Sequence, residues 1–356
     1  MVPALSRPRA TTRPPAVIDA RAAARPELGG VERWARELAT RLPALRPGAY
    51  AVLAPRPRLV HRAGHAWEQL VLPVRAAAAG AGALLCPANL APIAARRTVL
   101  VLHDAAVLRH PGWYSGVYAA WQRALLPVLA RRAARVLSVS EFSRRELEDL
   151  LGLPAGRVTV VAGGVEARFS PDADAMGARS ALDLARPYVL CVASHTARKN
   201  LAALAPAAAA LAHDGVDVVV AGGHRPQFAR EDGLAGLRLL GHVDDALLPG
   251  LYAGATAFAL PSVYEGFGLP VLEAMASGVP VVASAAAALP ETCGGAARLV
   301  APRGDAFASA LGGLLADADE RARLRAAGLE RTRAFSWERT ARGVDAVVAE
   351  VAGWRT

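Results

Sequence analysis

The chain has 356 residues, of which 53% are hydrophobic and 20% charged, with a formal net charge of +10. That composition excludes a disordered or fibrous protein, and the length predicts two domains, each able to bury its own core. Three scattered cysteines, Cys86, Cys191 and Cys293, form no Cys-x-x-Cys pair and sit near no histidine cluster. This argues against a disulfide framework or zinc site and for a reducing cytoplasm.

Residues 1–15, MVPALSRPRATTRPP, are rich in Arg and Pro without an apolar core. They read as a disordered tail, not a signal peptide. Then come strands at 16–20 (AVIDA), 49–55, 82–86, 98–103, 136–140 and 157–162. They alternate with helices at 31–42, 114–135 and 143–151. The second half repeats the scheme, with strands at 188–194, 216–223, 237–243, 255–262 and 279–284, and a helix at 201–213. Continuous Val/Leu/Ala runs between helices indicate parallel sheets covered on both faces. The expected organisation is α/β, with two doubly wound parallel-sheet domains in series. The first spans 16–180 and the second 181–336, with a hinge within 169–186 and a terminal helix at 337–354. The uncharged stretches 76–95 and 274–290 are broken by Pro and Gly and do not resemble spanning helices.

The charge is uneven. Residues 1–180 hold 25 arginines against 13 acidic residues, a net +12, whereas residues 181–356 hold 16 basic against 18 acidic, a net −2. The first half is therefore expected to face something anionic, either a lipid surface or nucleic acid, the alternative being a basic surface that serves only solubility. Charge alone supports nucleic acid, because no aromatic-basic motif accompanies it.

Of the 41 basic residues, 40 are arginine; the single lysine is Lys199, beside Arg198. A lysine kept against that bias suits a site needing a compact ammonium, although a chance survivor on a loop reads the same. It follows a strand and precedes a helix, where open parallel sheets bind ligands and helix starts favour anions. A phosphate or diphosphate site follows. The densest motif is PSVYEGFGLPVLEAMASGVPVVAS, residues 261–284. It places Glu265 on a loop, lets Gly266 and Gly268 bring the backbone close to a ligand, and starts a helix near Pro270 with Glu273 in its first turn. Taken singly, Glu273 also reads as an acid favoured by the helix dipole and Glu265 as a solvated loop residue. Together, two carboxylates for neighbouring hydroxyls and two cations for a diphosphate describe a nucleotide-sugar site.

EGFGLPVLEAMASGVPVV, with its Glu-x7-Glu spacing, resembles the retaining family-4 glycosyltransferases of the GT-B fold. So do YVLCVASHTARKNL, VLSVSEFSRRELEDLLGLPAGRVTVVAGGVE, GGVERWARELA and LVLHDAAVLRHP. The likeness runs from about residue 16 to 350. It implies two Rossmann-like domains across a cleft, the second binding a GDP- or UDP-linked sugar and the first an acceptor, with the last helix returning to the first domain. Arg198 and Lys199 would neutralise the diphosphate, with Ser194 in the same strand-loop. Glu273 would bind the ribose, Glu265 the transferred sugar, and Gly266, Phe267, Gly268 and Leu269 would offer amides to sugar or phosphate. Gly29 and Gly30 would close on the diphosphate, Val243 would border the base, and His103 would lie at the reacting face. The catalytic set would be His103, Glu265, Arg198 and Lys199. No metal and no further cofactor are implied.

HDxxxLxHP at 103–111 resembles mannosyltransferases. The expected reaction is transfer of a hexosyl unit to a glycan or lipid-linked acceptor, in the cytoplasm or peripherally on the inner membrane face, without nucleic acid. A sugar-nucleotide epimerase and a non-catalytic nucleotide-sugar or glycan binder share the architecture. The family's Gly is Ala193 here, and its Pro-Asn-Gly is Ala162-Gly163-Gly164. Asp104 reads as a turn cap or a catalytic group. Trp113, Tyr114, Tyr118 and Trp121 follow helical spacing and read as core in preference to an acceptor platform, and His61, His65, His110, His195, His213, His224 and His242 read as loop or surface residues.

Overall fold

The structure, a computed structural model, describes residues 15–25, 29–60, 64–223 and 233–354. The predicted tail, His61 and His224 lie outside the described residues, apart from Pro15. Six strands build the first sheet: β1 (Ala16–Asp19), β2 (Tyr50–Leu53), β3 (Ala83–Cys86), β4 (Thr98–Leu102), β5 (Arg135–Ser138) and β6 (Val158–Val160). Six more build the second: β7 (Tyr188–Val192), β8 (Asp217–Ala221), β9 (Arg238–Gly241), β10 (Ala257–Leu260), β11 (Val281–Ser284) and β12 (Arg298–Val300). The orders are β2-β1-β3-β4-β5-β6 and β12-β11-β10-β7-β8-β9, with all described pairings parallel.

Alternation along each strand explains the layers. Ile18, Leu85, Val99 and Val101 face one apolar cluster, which Trp34, Leu38 and Leu42 of the helix Gly30–Leu45 complete. Their neighbours Val17, Leu84, Leu100 and Leu102 face another, under the helices Gly116–Arg132 and Glu141–Leu151. Central strands buried on both faces read as unbroken apolar runs for this reason.

The helix Trp337–Ala352 packs on the first half. Trp337 meets Trp34 edge-on with ring centroids 6.0 Å apart. Asp345 accepts from Arg46 at 2.6 and 3.1 Å and from the Tyr50 hydroxyl at 2.7 Å. The two chain segments joining the halves run side by side: Val165 N–H donates to Phe335 O at 3.2 Å, and Thr340 Oγ1 donates to Ala162 O at 2.8 Å. A Cβ on Gly164 would lie 2.2 Å from the Trp337 nitrogen, which explains a glycine there.

Several boundaries differ from expectation. The predicted helix at 201–213 opens as a 3₁₀ turn, Leu201–Leu204, and becomes α-helical over Ala205–His213, with Pro206 in its first turn. The helix expected at 114–135 spans Gly116–Arg132, so Tyr114 precedes it. The helix after Gly268 starts at Leu269, which moves Glu273 out of the first turn. The 169–186 segment contains a helix, Ala175–Ala181, capped by Asp174. Among the described residues no helix is long and apolar enough to cross a membrane.

Candidate functional site

Lys199 ends a 3₁₀ turn, Ala197–Lys199, that follows β7. Asn200 comes next in the left-handed region (φ 53°), which asparagine tolerates better than most residues. Its amide donates to Pro261 O at 3.1 Å and Pro302 O at 3.0 Å, tying the loop to those after β10 and β12. Val263 N–H donates to Arg198 O at 2.9 Å. These bonds fix the turn, and with it the two cations. The dipole argument for this turn needs correction: the α-helix proper starts at Ala205, six residues beyond Lys199. The charges carry the site instead.

Lys199 is 7% exposed and Glu265 6% exposed, and the ammonium bonds Glu265 Oε1 directly. Ser262 Oγ donates to the same oxygen at 2.7 Å. Arg198 Nη1 lies 4.0 Å from Glu265 Oε2 and 3.5 Å from Asp104 Oδ2. Burial alone would raise the Glu265 carboxyl. The charges of Lys199 and Arg198, with the bonds from Lys199 and Ser262, outweigh it and hold the group below the ordinary carboxylate range. Burial lowers the Lys199 ammonium, with Glu265 opposing and Arg198 assisting. Removing one member would leave a buried unpaired charge, a cost of about 3–5 kcal/mol.

Glu273 forms the second centre. Its Oε2 accepts from the Tyr252 hydroxyl at 2.8 Å, and its Oε1 lies 3.6 Å from Arg33 Nε. Burial raises this carboxyl despite Arg33 and Tyr252. Arg33 also bonds Glu166 and, at 2.9 Å, Asp245 Oδ1, and its guanidinium stands over the Phe169 ring. Sequence reasoning missed Arg33, Glu166, Asp245 and Tyr252. Pairs as far apart as Arg33 and Asp245 leave no local signal.

The first half contributes His103 and Asp104 after β4. His103 Nε2 lies 2.8 Å from Pro87 O, and a carbonyl only accepts, so this nitrogen carries the proton and Nδ1 is the acceptor in the neutral ring. Burial lowers its pKa against the opposing Pro87 bond and the Asp104 and Glu32 charges. Asp104 does cap a turn, accepting from Ala106 N–H at 3.0 Å through Oδ1, while Oδ2 faces Arg198.

The glycine loop meets this half closely. A Cβ on Gly266 would fall 2.2 Å from His103 O, so the neighbour demanding a glycine is backbone from across the cleft. Gly266 O accepts from Ser140 Oγ at 2.6 Å and Ser143 Oγ at 3.0 Å. Gly268 needs its freedom at φ 104°. Gly30 approaches Leu269, whose Cδ1 would lie 3.5 Å from an added Cβ, and Gly29 N–H donates to Glu32 Oε2 at 3.1 Å. Thr292 Oγ1 donates to Phe267 O, and the Phe267 and Leu269 side chains are buried.

Ser194 follows β7, half-buried; Val243 follows β9, buried. Ala193 belongs to the apolar core, and its carbonyl would lie 2.1 Å from a Cβ on Gly222. The tight approach beside this strand is thus made by Gly222. His110 is more than a surface residue: it stacks on Trp113 at 4.0 Å and reaches Tyr264 across the cleft at 5.8 Å.

Two parallel six-stranded sheets with charged loops converging at their strand ends have the GT-B architecture. Residues 186–317 match the family described as glycosyl transferases group 1, and residues 74–169 match glycosyltransferase family 4. The O-antigen chain mannosyltransferase B of Escherichia coli is 32% identical over 256 residues, covering 68% of this chain and 67% of its own length. Among solved structures, sucrose-phosphate synthase from Thermosynechococcus elongatus superposes with a TM-score of 0.76 at 22% identity, covering 97% of this chain and 100% of its own. Anabaena HepE in complex with UDP-glucose superposes with a TM-score of 0.69 at 18% identity, covering 94% of this chain and 99% of its own. The chain belongs to the family-4 glycosyltransferases, and its reaction is nucleotide-sugar-dependent glycosyl transfer.

The carboxyl end of β1 carries a buried acid. Burial and the Glu68 charge push Asp19, at the end of β1, up to about 7, with Arg21 opposing. An acid with a raised folded-state pKa favours the native state most below its unfolded value and loses that advantage as pH rises through the folded one. Wild-type stability is therefore expected to fall between about pH 4 and 7 through this group. Asp19→Asn should flatten that part of a melting-temperature-against-pH curve, and equal slopes for both proteins would contradict the assignment.

Proposed function

We propose that the chain transfers a hexosyl unit, a mannosyl unit first among candidates, from a GDP- or UDP-linked sugar to a hydroxyl of a glycan or glycolipid acceptor. The transfer retains anomeric configuration and uses no metal. The observation that carries this is the cluster of buried Lys199 and Glu265 with half-buried Arg198 and Asp104 at facing strand ends. Both cations follow one strand and face carboxylates that a diphosphate and a sugar can replace as partners. In this reading residues 181–336 hold the donor and residues 16–180 the acceptor. The mannosyl preference draws on the O-antigen relative and the nucleotide choice on the HepE complex.

Each residue then has a role. Lys199 and Arg198 stabilise charge on the departing diphosphate as the sugar C1–O bond breaks, which is worth most in a water-poor site. Glu265, backed by Ser262, accepts hydroxyls of the transferred sugar, and Glu273 accepts those of the ribose. Ser194, Gly29, Gly30 and the amides of Gly266, Phe267, Gly268 and Leu269 line the phosphates and sugar, while Val243 borders the base. His103 presents its polar ring at the reacting face. The acceptor oxygen adds on the face the leaving group departs from and gives its proton to the departing phosphate oxygen.

The test is incubation with GDP-mannose, UDP-glucose and ADP-glucose and a glycan pool, with NMR assignment of the product anomer. An α-linked product from an α-linked donor, at a rate unchanged by EDTA, is expected. Glu265→Gln should cut the rate by about 10²-fold or more. An inverted product, or activity lost to EDTA and restored by a divalent cation, would contradict the proposal.

The basic first half also supports peripheral contact with an anionic bilayer. Leu70 (71% exposed) and Val74 (66% exposed) project where the short helices Gly64–Leu70 and Leu72–Ala78 meet, beside Arg75. Co-flotation with phosphatidylglycerol vesicles, but not with neutral ones, is expected to weaken in a Leu70→Ser/Val74→Ser variant. Equal recovery with both vesicle types would remove this contact.

A further inference from the structure

We propose that Tyr114, Tyr118 and Trp121 form a ledge binding successive sugar rings of the acceptor, so that the enzyme extends an oligosaccharide chain in preference to a single sugar. The inference rests on the glycosyl-transfer reading and adds the acceptor's class.

Positions 114, 118 and 121 have the spacing of one helical face, and Tyr114 continues the row just ahead of the helix Gly116–Arg132. Tyr114 and Tyr118 stack at 5.7 Å with planes 22° apart; Tyr118 and Trp121 follow at 6.1 Å, and Trp121 meets His65 at 5.1 Å. The sequence pattern places these rings in the core. Tyr114 and Tyr118 do pack, half-buried, against the second apolar cluster, whereas Trp121 departs from that reading at 36% exposed. A helical period shows that residues share a face but not whether that face looks at the sheet or past its edge.

The row starts near the donor site: Trp113, one residue before Tyr114, lies 6.2 Å ring to ring from Tyr264, the neighbour of Glu265 in the sequence. Burial raises the Tyr114 hydroxyl first, Asp104 adds to the rise and Arg198 opposes it. Farther along, the Tyr118 hydroxyl is raised by burial first and then by Asp104, and Gln122, Arg25 and Arg21 lower it. Gln122 donates to Tyr118 Oη at 3.3 Å. Trp121 leads to His65, which lies 3.8 Å from Glu68, the partner of Arg21 at 2.7 Å. Sugar rings carry apolar C–H faces and hydroxyl edges. A row of supported aromatic rings with the part-exposed Asp104 carboxylate toward one end and the part-exposed His65 ring at the other matches both, and rigid Tyr and Trp rings bind at low entropic cost. A bilayer would match the apolar faces but offer no hydroxyl to the part-exposed Asp104 carboxylate and His65 ring.

The test uses the full chain with α-linked manno- and gluco-oligosaccharides of one to four units. Each is titrated by calorimetry at saturating nucleoside diphosphate. Affinity is expected to rise at least ~10-fold from one unit to three. Trp121→Ala should remove most of that gain and Trp121→Phe should keep most of it, with nucleotide affinity the same in all three proteins. A trisaccharide that binds no better than the monosaccharide, or not at all, overturns the ledge, as does Trp121→Ala binding like wild type. A defect confined to vesicle flotation would overturn it in favour of a lipid-facing patch. If wild type binds no nucleotide, the glycosyl-transfer reading itself fails, and the ledge falls with it.

Discussion

The contact on which the account depends is the buried pair between Lys199 and Glu265. Burying two charges costs several kcal/mol per ion unless each finds a partner. Here the partners are supplied by backbone design. The turn after β7 is held by Asn200 against Pro261 and Pro302, and Ser262 completes the carboxylate's bonding. Arg198 and Asp104 extend the pair into a cluster of two cations and two carboxylates. A cluster so arranged is preorganised for anionic and hydroxyl-bearing ligands, because its dipoles and charges are aimed before anything arrives.

The rest of the cleft closes around this cluster through polar contacts between the halves. Gly266 sits against His103, and its carbonyl is held by Ser140 and Ser143. Glu291 accepts the Glu141 and Phe142 amides at 2.8 and 3.1 Å, an acid at a helix start where the dipole favours it. Arg33 gathers Glu166, Asp245 and Glu273. Beside these hydrogen bonds and ion pairs at loop tips, Tyr264 packs against His110, Trp113 and Phe142, and apolar contact continues at the crossing near Gly164 and Trp337.

Much of the fold was legible, for a physical reason. Strands such as β4 and β7 are buried on both faces and must be apolar throughout. β12 was not legible, because Arg298–Val300 is short and half-buried. The lone lysine and the Glu-x7-Glu spacing marked the charged site, since both stand out within a short window. Arg33 and Asp245 did not, because their meaning arises only when distant segments meet. No α-helix start lies at Lys199, because Pro206 marks the first turn of the helix proper. Trp121 stands outside the core, because a helical period does not say whether a shared face looks at the sheet or past its edge.

The most direct measurement is calorimetry of UDP, GDP, ADP and dTDP against wild type and Lys199→Met, with both proteins checked for an intact fold. One nucleoside diphosphate should bind wild type, and the variant should bind it about 10- to 150-fold more weakly, the value of one charged hydrogen bond. The corresponding nucleoside monophosphate should show a smaller difference. Equal affinity of both proteins for every nucleotide would contradict the diphosphate role of Lys199 and remove the physical basis of the site.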